Sequence, residues 1–291
     1  MNMKLGLKKT VGLLMSCLLA GAVLTGCGTS GDGGKSSDGG PVKLGMLKNM
    51  NISEQRQEEL LKEAGKRGNF PSNMRFSITY YENLNSMQMG LESTSIQELS
   101  TYQCVADYLM AKNDKFTQTE FRKSKLEDGF CCALREDDKA LLEEFNAAIK
   151  GMKDDGTLDK LVQEYIKNVK AGEEPPAVPL ETVEGRPALK VAVTGDLPPI
   201  DLVLANGKPA GFNTAVLAEI GKRLKRNIEI VQVDSGARAA ALSSKKVDVI
   251  FWAVIPEDTF KIRPADFDCP QGVKTTVPYY KDEIVHITVK K

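Results

Sequence analysis

Apolar and polar positions alternate along this chain in two stretches that share one grammar. In the first, Val42 to Leu47 (VKLGML) reads as a buried strand, and polar Lys48 to Asn51 leads to Ser53, which can cap a helix running to Lys66. Phe76 to Tyr81 (FSITYY) is a second strand. Leu84, Met87 and Leu91 recur at spacings of three and four, which predicts a short helix over Asn83 to Glu92; a third strand, Ile96 to Thr101, and a helix near Val105 to Ala111 follow. The second stretch repeats the order. Leu189 to Val193 (LKVAV) is a strand, followed by a helix with Val216, Leu217, Ile220 and Leu224 on one face. Asn213 can cap that helix, and Lys222, Arg223, Lys225 and Arg226 suit its negative end. Ile228 to Val233 is a strand, Ala237 to Leu242 a helix and Val247 to Trp252 a strand. First and third strands start 54 residues apart in one stretch and 58 in the other, so two β-α-β-α-β units, and with them two parallel-sheet lobes, are predicted.

Between the units the pattern is helical. Asp137 to Lys150 places Leu141, Leu142, Phe145, Ala148 and Ile149 on one face; Gly156 breaks it, and Leu158, Leu161, Val162, Tyr165 and Ile166 form a second apolar stripe. Glu173 to Pro179 (EEPPAVP) holds no helix, because proline removes a donor and disfavours helical geometry before it. A stiff, exposed linker is expected there.

The start of the chain is of another kind. Lys4, Lys8 and Lys9 precede an apolar run of about 14 residues, Val11 to Leu24, short for a bilayer span and suited to a signal-peptide core. The run ends in Leu24-Thr25-Gly26-Cys27, which resembles the lipobox of bacterial lipoproteins, whose cysteine thiol takes the lipid. Residues 1–26 are therefore read as a signal peptide, Cys27 as the lipidation site, and the Gly/Ser-rich residues 27–41 as a flexible tether spanning roughly 20 Å.

Charge sharpens this only slightly. The chain has 39 basic and 39 acidic side chains, and losing three lysines with the signal leaves 36 against 39. Without a basic excess or stripe there is no electrostatic footprint for nucleic acid. One histidine, His286, excludes His-rich metal centres and leaves a single candidate base for nucleophilic catalysis, so neither a metal nor a cofactor is expected. Cys104, Cys131, Cys132 and Cys269 show no C-x-x-C spacing and read as small buried residues; export permits one disulfide, with the pairing left open.

Gly195-Asp196-Leu197-Pro198-Pro199, Asn206 to Phe212 (NGKPAGF) and Leu217-Ala218-Glu219-Ile220 resemble the opening of the family 3 extracellular solute-binding proteins. Leu242 to Ile250 (LSSKKVDVI) resembles the next landmark and Pro278-Tyr279-Tyr280 the aromatic hinge approach; Gly129 to Arg135, Asn146 and Lys153 to Leu158 resemble the closing segment. The resemblance covers nearly everything after residue 41. It implies an α/β, two-lobed type 2 periplasmic-binding fold, each lobe a mixed, mostly parallel sheet flanked by helices. The order of the pieces differs from the family's. Residues 42–125 resemble lobe 2, 126–170 the closing helical segment, 188–280 lobe 1 and 281–291 the strand that returns to lobe 2, with the Pro-rich residues 171–187 joining the old termini. This reads as a circular permutation rather than two tandem truncated modules, with Ile284 to Val289 expected in the lobe-2 sheet beside Gly129 to Leu134.

Ligands of open parallel sheets bind beyond the carboxyl ends of strands, which gathers the loops after Val193, Val254, Leu47 and Thr101. The candidate ligand-binding residues are Asp196 and Leu197, Trp252 and Ala253, Asn51 and Ser53 at a helix N-terminus, and Thr101 and Tyr102. Trp252 could equally be lobe core, Ser53 a plain cap and Asp196 a turn stabiliser. The family's carboxylate-clamping arginine aligns with Phe260, three residues before Arg263, and its ammonium-binding acid aligns with Tyr102. Both charged partners of a zwitterion are thus replaced, which implies a less charged, more aromatic site that includes Tyr80 and Tyr81 and suits stacking and neutral hydrogen bonds.

The resemblance implies a monomeric, membrane-anchored solute receptor on the extracytoplasmic face, closing two lobes on a small ligand for an ABC permease, with no cofactor and no catalysis. A degenerate binding fold acting as a sensor or interaction lipoprotein is the second reading. A dehydratase-like enzyme is the third; it would need an acid or base such as Asp196 or Glu98, and no acid/base pair stands out.

Overall fold

The computed structural model describes residues 40–50, 52–67, 75–119, 126–169, 172–257, 261, 263–264 and 267–290. The first unit is β1 (Val42–Leu47), α1 (Glu54–Lys66), β2 (Phe76–Tyr81), α2 (Leu84–Glu92), β3 (Glu98–Tyr102) and α3 (Gln103–Lys112). Then come β4 (Phe116–Gln118), β5 (Glu127–Arg135), α4 (Lys139–Asp154) and α5 (Thr157–Val162), which runs on into a π turn. The second unit is β6 (Ala188–Val193), a small sheet of β7 (Asp196–Leu197), β8 (Asp201–Val203) and β9 (Pro209–Ala210), then α6 (Gly211–Leu224), β10 (Asn227–Gln232), α7 (Arg238–Ser243) and β11 (Val249–Pro256). Two strands close the chain, β12 (Val273–Thr275) and β13 (Tyr280–Val289).

Both units are wound alike. β1 lies between β2 and β3, all parallel, and β6 lies between β10 and β11, again all parallel. The long antiparallel strands β5 and β13 join them into the order β10-β6-β11-β5-β13-β3-β1-β2. The two-lobed α/β architecture read from the strand pattern is therefore present, with β13 serving both lobes. Its first residues, Tyr280 to Glu283, pair with Phe130 to Glu127, and Ile284 to Ile287 pair with Tyr102 to Leu99. The expected partnership of Ile284 to Val289 with Gly129 to Leu134 does not form as such. β12 already occupies Ala133 to Arg135 on that edge of β5, so only the lower half of the strand is left for β13.

Other local expectations shift for traceable reasons. β3 starts two residues later than the pattern suggested, because Ile96 donates its N–H to Gly90 O at the end of α2 and buries its side chain in the core. β11 runs four residues past Trp252, where β5 supplies a ladder partner out to Asp128. Asn213 is not a cap. It sits inside α6, whose cap position is Ala210, and its buried Oδ1 accepts from Tyr279 Oη at 2.9 Å. The Pro-rich connection forms no helix, as expected, but it is not wholly exposed: Val178 is buried and donates its N–H to Pro209 O, while Ala177 bridges to Ala210.

Two features set up the site. Helix α1 (EQRQEELLKEAGK) buries only Gln57, Leu60 and Ala64, a thin face of one polar, one large and one small residue. It is held at its start by Ser53, whose Oγ accepts from Arg56 N. The loop after β6 is fixed by buried Asp201, whose Oδ2 accepts from Thr194 N, Thr194 Oγ1 and Gly195 N at 2.9–3.0 Å. Gly195 takes φ 72° there, a left-handed backbone that glycine adopts without strain. Cys104, Cys131, Cys132 and Cys269 are free thiols, the first three buried. No described helix is long and apolar enough to cross a membrane.

Candidate functional site

Strand β11 slips register between Phe251 and Ala253, so Trp252 has no ladder partner. A bulge re-aims the side chain it carries. The Trp252 ring meets Tyr102 edge-on, with centroids 6.2 Å apart at 88°, and lies 5.6 Å from Phe130. Arg238 stands over the indole, its Cζ 4.8 Å from the centroid.

Beneath α1, over the face of β1, β3 and β13, lies a cavity of about 110 Å³ that reaches Trp252 at one end. Leu60, Leu61, Ala64, Leu126 and Ile284 wall it with hydrocarbon; Gln57, Thr101, Tyr102, Asp128, Trp252, Arg263 and His286 bring polar atoms to it. Its charges are mutually paired. Arg263 Nη1 lies 2.7 Å from Asp128 Oδ1, and Tyr102 Oη donates to Asp128 Oδ2 at 3.0 Å. His286 Nδ1 lies 2.9 Å from Glu98 Oε2. Burial pushes the Tyr102 phenol well above its ordinary range, aided by the neighbouring Asp128 carboxylate, so it acts as a neutral donor. By contrast, Thr101 Oγ1 and Trp252 Nε1 are buried without a hydrogen-bond partner among the described residues. Gln57 Nε2 faces Met46 Sδ at 3.7 Å, a weak acceptor.

A second, open space of about 530 Å³ lies outside the first, bordered by Lys48, Ser53, Tyr80, Glu82, Asp234 and Gly236. Here the lobes touch each other directly. Glu82 Oε1 pairs with Lys48 Nζ at 2.7 Å, and Glu82 Oε2 accepts from Gly236 N of the opposite lobe at 3.2 Å. The Lys48 hydrogen bond holds the Glu82 carboxyl below its usual range. Asp196 of the second lobe accepts from Leu84 N at the start of α2 in the first. Burial raises the Asp196 carboxyl, partly offset by that hydrogen bond.

The sequence candidates thus separate. Thr101, Tyr102 and Trp252 meet at the cavity beneath α1. Ser53 borders the outer space; Asp196 borders a third hollow of about 350 Å³ with Gln88, Tyr108 and Lys112. Leu197 is fully buried in the small sheet, and Ala253 returns to the ladder opposite Cys131, buried in the core. Tyr80 lines the outer space and donates from Oη to Glu54 O. Asn51, Phe260 and Cys27 lie outside the described residues. Local pattern did not single out Gln57, Asp128 or the pair Arg238–Asp268. Arg238 is fully buried: Nε donates to Ser235 O, Nη1 to Trp252 O, and Nη2 lies 3.7 Å from Asp268 Oδ2. Burial raises the Asp268 carboxyl to about 6, with Arg238 opposing, and its Oδ1 accepts from Met50 N. Among the described residues no group of three His, Cys, Asp or Glu side chains could hold a metal ion.

Residues 45–168 and 189–259 match the family model of the bacterial extracellular solute-binding proteins, family 3. The chain belongs to this family. No curated protein matches it. Its fold is similar to several solved structures at low identity. One is a zinc-bound ligand-binding component of an ABC-type import system from Staphylococcus aureus: 12% identity, TM-score 0.43, covering 86% of this chain and 66% of that one. Another is the GluR0 ligand-binding core from Nostoc punctiforme with L-glutamate: 10% identity, TM-score 0.37, covering 86% and 84%. A third is the periplasmic aliphatic sulphonate-binding protein SsuA from Escherichia coli: 12% identity, TM-score 0.36, covering 86% and 61%. The chain spans less than two thirds of the first and third of these. Membership implies an extracytoplasmic location, in a family of solute-binding proteins.

Proposed function

We propose that this protein is a lipid-anchored receptor that captures a small, uncharged solute between its lobes and delivers it to an ABC permease, acting as a monomer. The observation that carries the reading is the cavity beneath α1 that reaches Trp252 of the other unit at one end, where Thr101 Oγ1 and Trp252 Nε1 stand unpaired while Asp128 and Arg263 neutralise each other. A zwitterion would find no unpaired countercharge among the described lining residues, and burying a charge without one costs several kcal/mol. Thermal-shift screening of amino acids, amines, peptides and nucleobases tests it. A neutral compound is expected to raise the melting temperature most; no shift across the whole panel would overturn the reading. Anchoring is tested by labelled palmitate, which is expected to enter the wild type and not Cys27→Ser.

The permuted chain order belongs to the same reading. β13 ends beside the start of β3, and Thr288 Oγ1 donates to Gln97 O while Gln97 N donates to Lys43 O. The two ends of the folded chain therefore lie at one end of one sheet, two strands or about 10 Å apart. Placing residues 188–290 before 42–169, joined by a short Gly/Ser linker, is expected to give a protein of similar stability and binding; an unfolded product would count against permutation.

A sensor remains the second reading, favoured by the direct bonds Asp196 to Leu84 N and Glu82 to Gly236 N, which close the cleft with the protein's own groups. A genomic neighbour encoding a sensor kinase in place of a permease and ATPase would decide for it.

A further inference from the structure

One wall of the cavity is helix α1, which stands over the sheet on Leu60, Ala64 and Gln57. Three polar side chains that line this space carry a polar atom without a strong partner. Thr101 is 6% exposed and its Oγ1 unpaired; Trp252 is 4% exposed and its Nε1 unpaired; Gln57 is 3% exposed and its Nε2 faces only a thioether. Burying such groups unpaired is costly, and an apolar pocket with a few convergent polar groups is the usual form of a small-molecule site.

We propose that the space beneath α1 is the pocket for the ligand's body, and that it takes a neutral carbonyl compound, best a short carboxamide. This rests on the solute-binding reading and names the ligand class for it. The indole N–H only donates, so the ligand must offer an acceptor, which a carbonyl oxygen supplies. A hydroxyl such as Thr101 Oγ1 both donates and accepts and can take an amide N–H. The apolar part lies against Leu60, Ala64 and Ile284. Both ions at the cavity, Asp128–Arg263 and the nearby His286–Glu98 pair, have each other, so an acid or an amine would lose hydration without gaining a partner. An apolar cavity of about 150 Å³ holds the six heavy atoms of benzene, so a space of about 110 Å³ that opens on one side suits a molecule of at most about six heavy atoms.

Butyramide, butyrate and butylammonium share size and differ in charge, which makes them the probes. Thermal shift and the emission of Trp252 are read for the wild type, Thr101→Val and Ala64→Leu. Butyramide is expected to raise the melting temperature and shift the emission, with the two ions at least about tenfold weaker. Thr101→Val removes an unpaired buried hydroxyl at constant shape. It is expected to raise the melting temperature of the free protein while weakening butyramide about fivefold, a combination that a purely structural role does not give. Ala64→Leu fills the cavity and is expected to abolish binding. The proposal is overturned if butyrate or butylammonium binds as well as butyramide, if Thr101→Val leaves affinity unchanged, or if no probe binds at millimolar concentration. If a compound of the wider panel binds the wild type and Ala64→Leu alike, this inference fails and the solute-binding reading stands; if nothing in that panel binds, the reading itself fails.

Discussion

Replacing Arg238 by methionine tests how the cavity's end wall is built. The arginine and Asp268 are essentially inaccessible, with side-chain exposures of 1% and 0%. Methionine keeps the length of the side chain and its contact with the Trp252 ring, but it removes the hydrogen bonds to Ser235 O and Trp252 O and the cation beside Asp268. Two hydrogen bonds contribute about 1 kcal/mol each, and stripping a buried ion of its partner brings the total to about 3–5 kcal/mol. The loss depends on pH in a definite sense. Burial lifts Asp268 from 3.8 to about 6 in the folded protein, so its contribution is present at low pH and fades as pH rises through 6. Arg238 limits that rise. Without it the folded pKa climbs further, and each unit is worth about 1.4 kcal/mol. Urea unfolding followed by circular dichroism is expected to show a loss of about 4 kcal/mol at about pH 8 and about 2 kcal/mol at about pH 5. Adding Asp268→Asn is expected to recover part of it at the higher pH. A loss below about 1 kcal/mol, or one larger in acid, would refute the account of a compensated ion pair.

Two further outcomes follow from the buried carboxyl of Asp201 and the half-buried one of Asp196. Asp201 is raised to about 6 by burial against its bonds from Gly195 and Thr194, so stability falls as pH climbs from about 4 to 6; in Asp201→Asn that slope is expected to shrink by up to about 1.4 kcal/mol per pH unit, checked by urea titrations across the range. Asp196→Ala removes the acceptor that caps Leu84 N across the cleft, at a cost of about 1 kcal/mol, and is expected to loosen the lobes; higher acrylamide quenching of Trp252 would show it, and unchanged quenching would count against the latch.

Much of the frame was legible before any coordinate. VKLGML, FSITYY, LKVAV and VDVIFW announce strands because apolar runs of that length are hard to place elsewhere, and their matched spacing gave two parallel units. Ser53 caps the helix it precedes, as its position suggested, accepting from Arg56 N; Asn83, read as the first residue of its helix, proves to be the cap and accepts from Ser86 N. Pairing across long separations was not legible. Asn213 looked like a cap because it opens an apolar stripe, yet Tyr279 from the far end of the chain claims its side chain. The register of β13 depends on β12 taking part of β5 first, which no local pattern encodes. The same divide runs through the site. Thr101 and Tyr102 could be named because they end a central strand, and Trp252 because the apolar run VDVIFW stops there, although β11 goes on to Pro256. Asp128 sits beside Glu127 at the polar start of its strand, and only the fold shows it answering both Tyr102 and Arg263. Arg238 reads as the polar face of a short helix and is instead fully buried under Trp252.

Trp252 is the sole tryptophan and stands at the cavity, so its emission reports capture directly. The decisive measurement is a titration of that emission, with acrylamide quenching, by whichever neutral solute raises the melting temperature. Capture beneath α1 predicts a spectral shift and reduced quenching that saturate together and vanish in Ala64→Leu. A solute that stabilises the protein while leaving Trp252 emission and quenching untouched would contradict it.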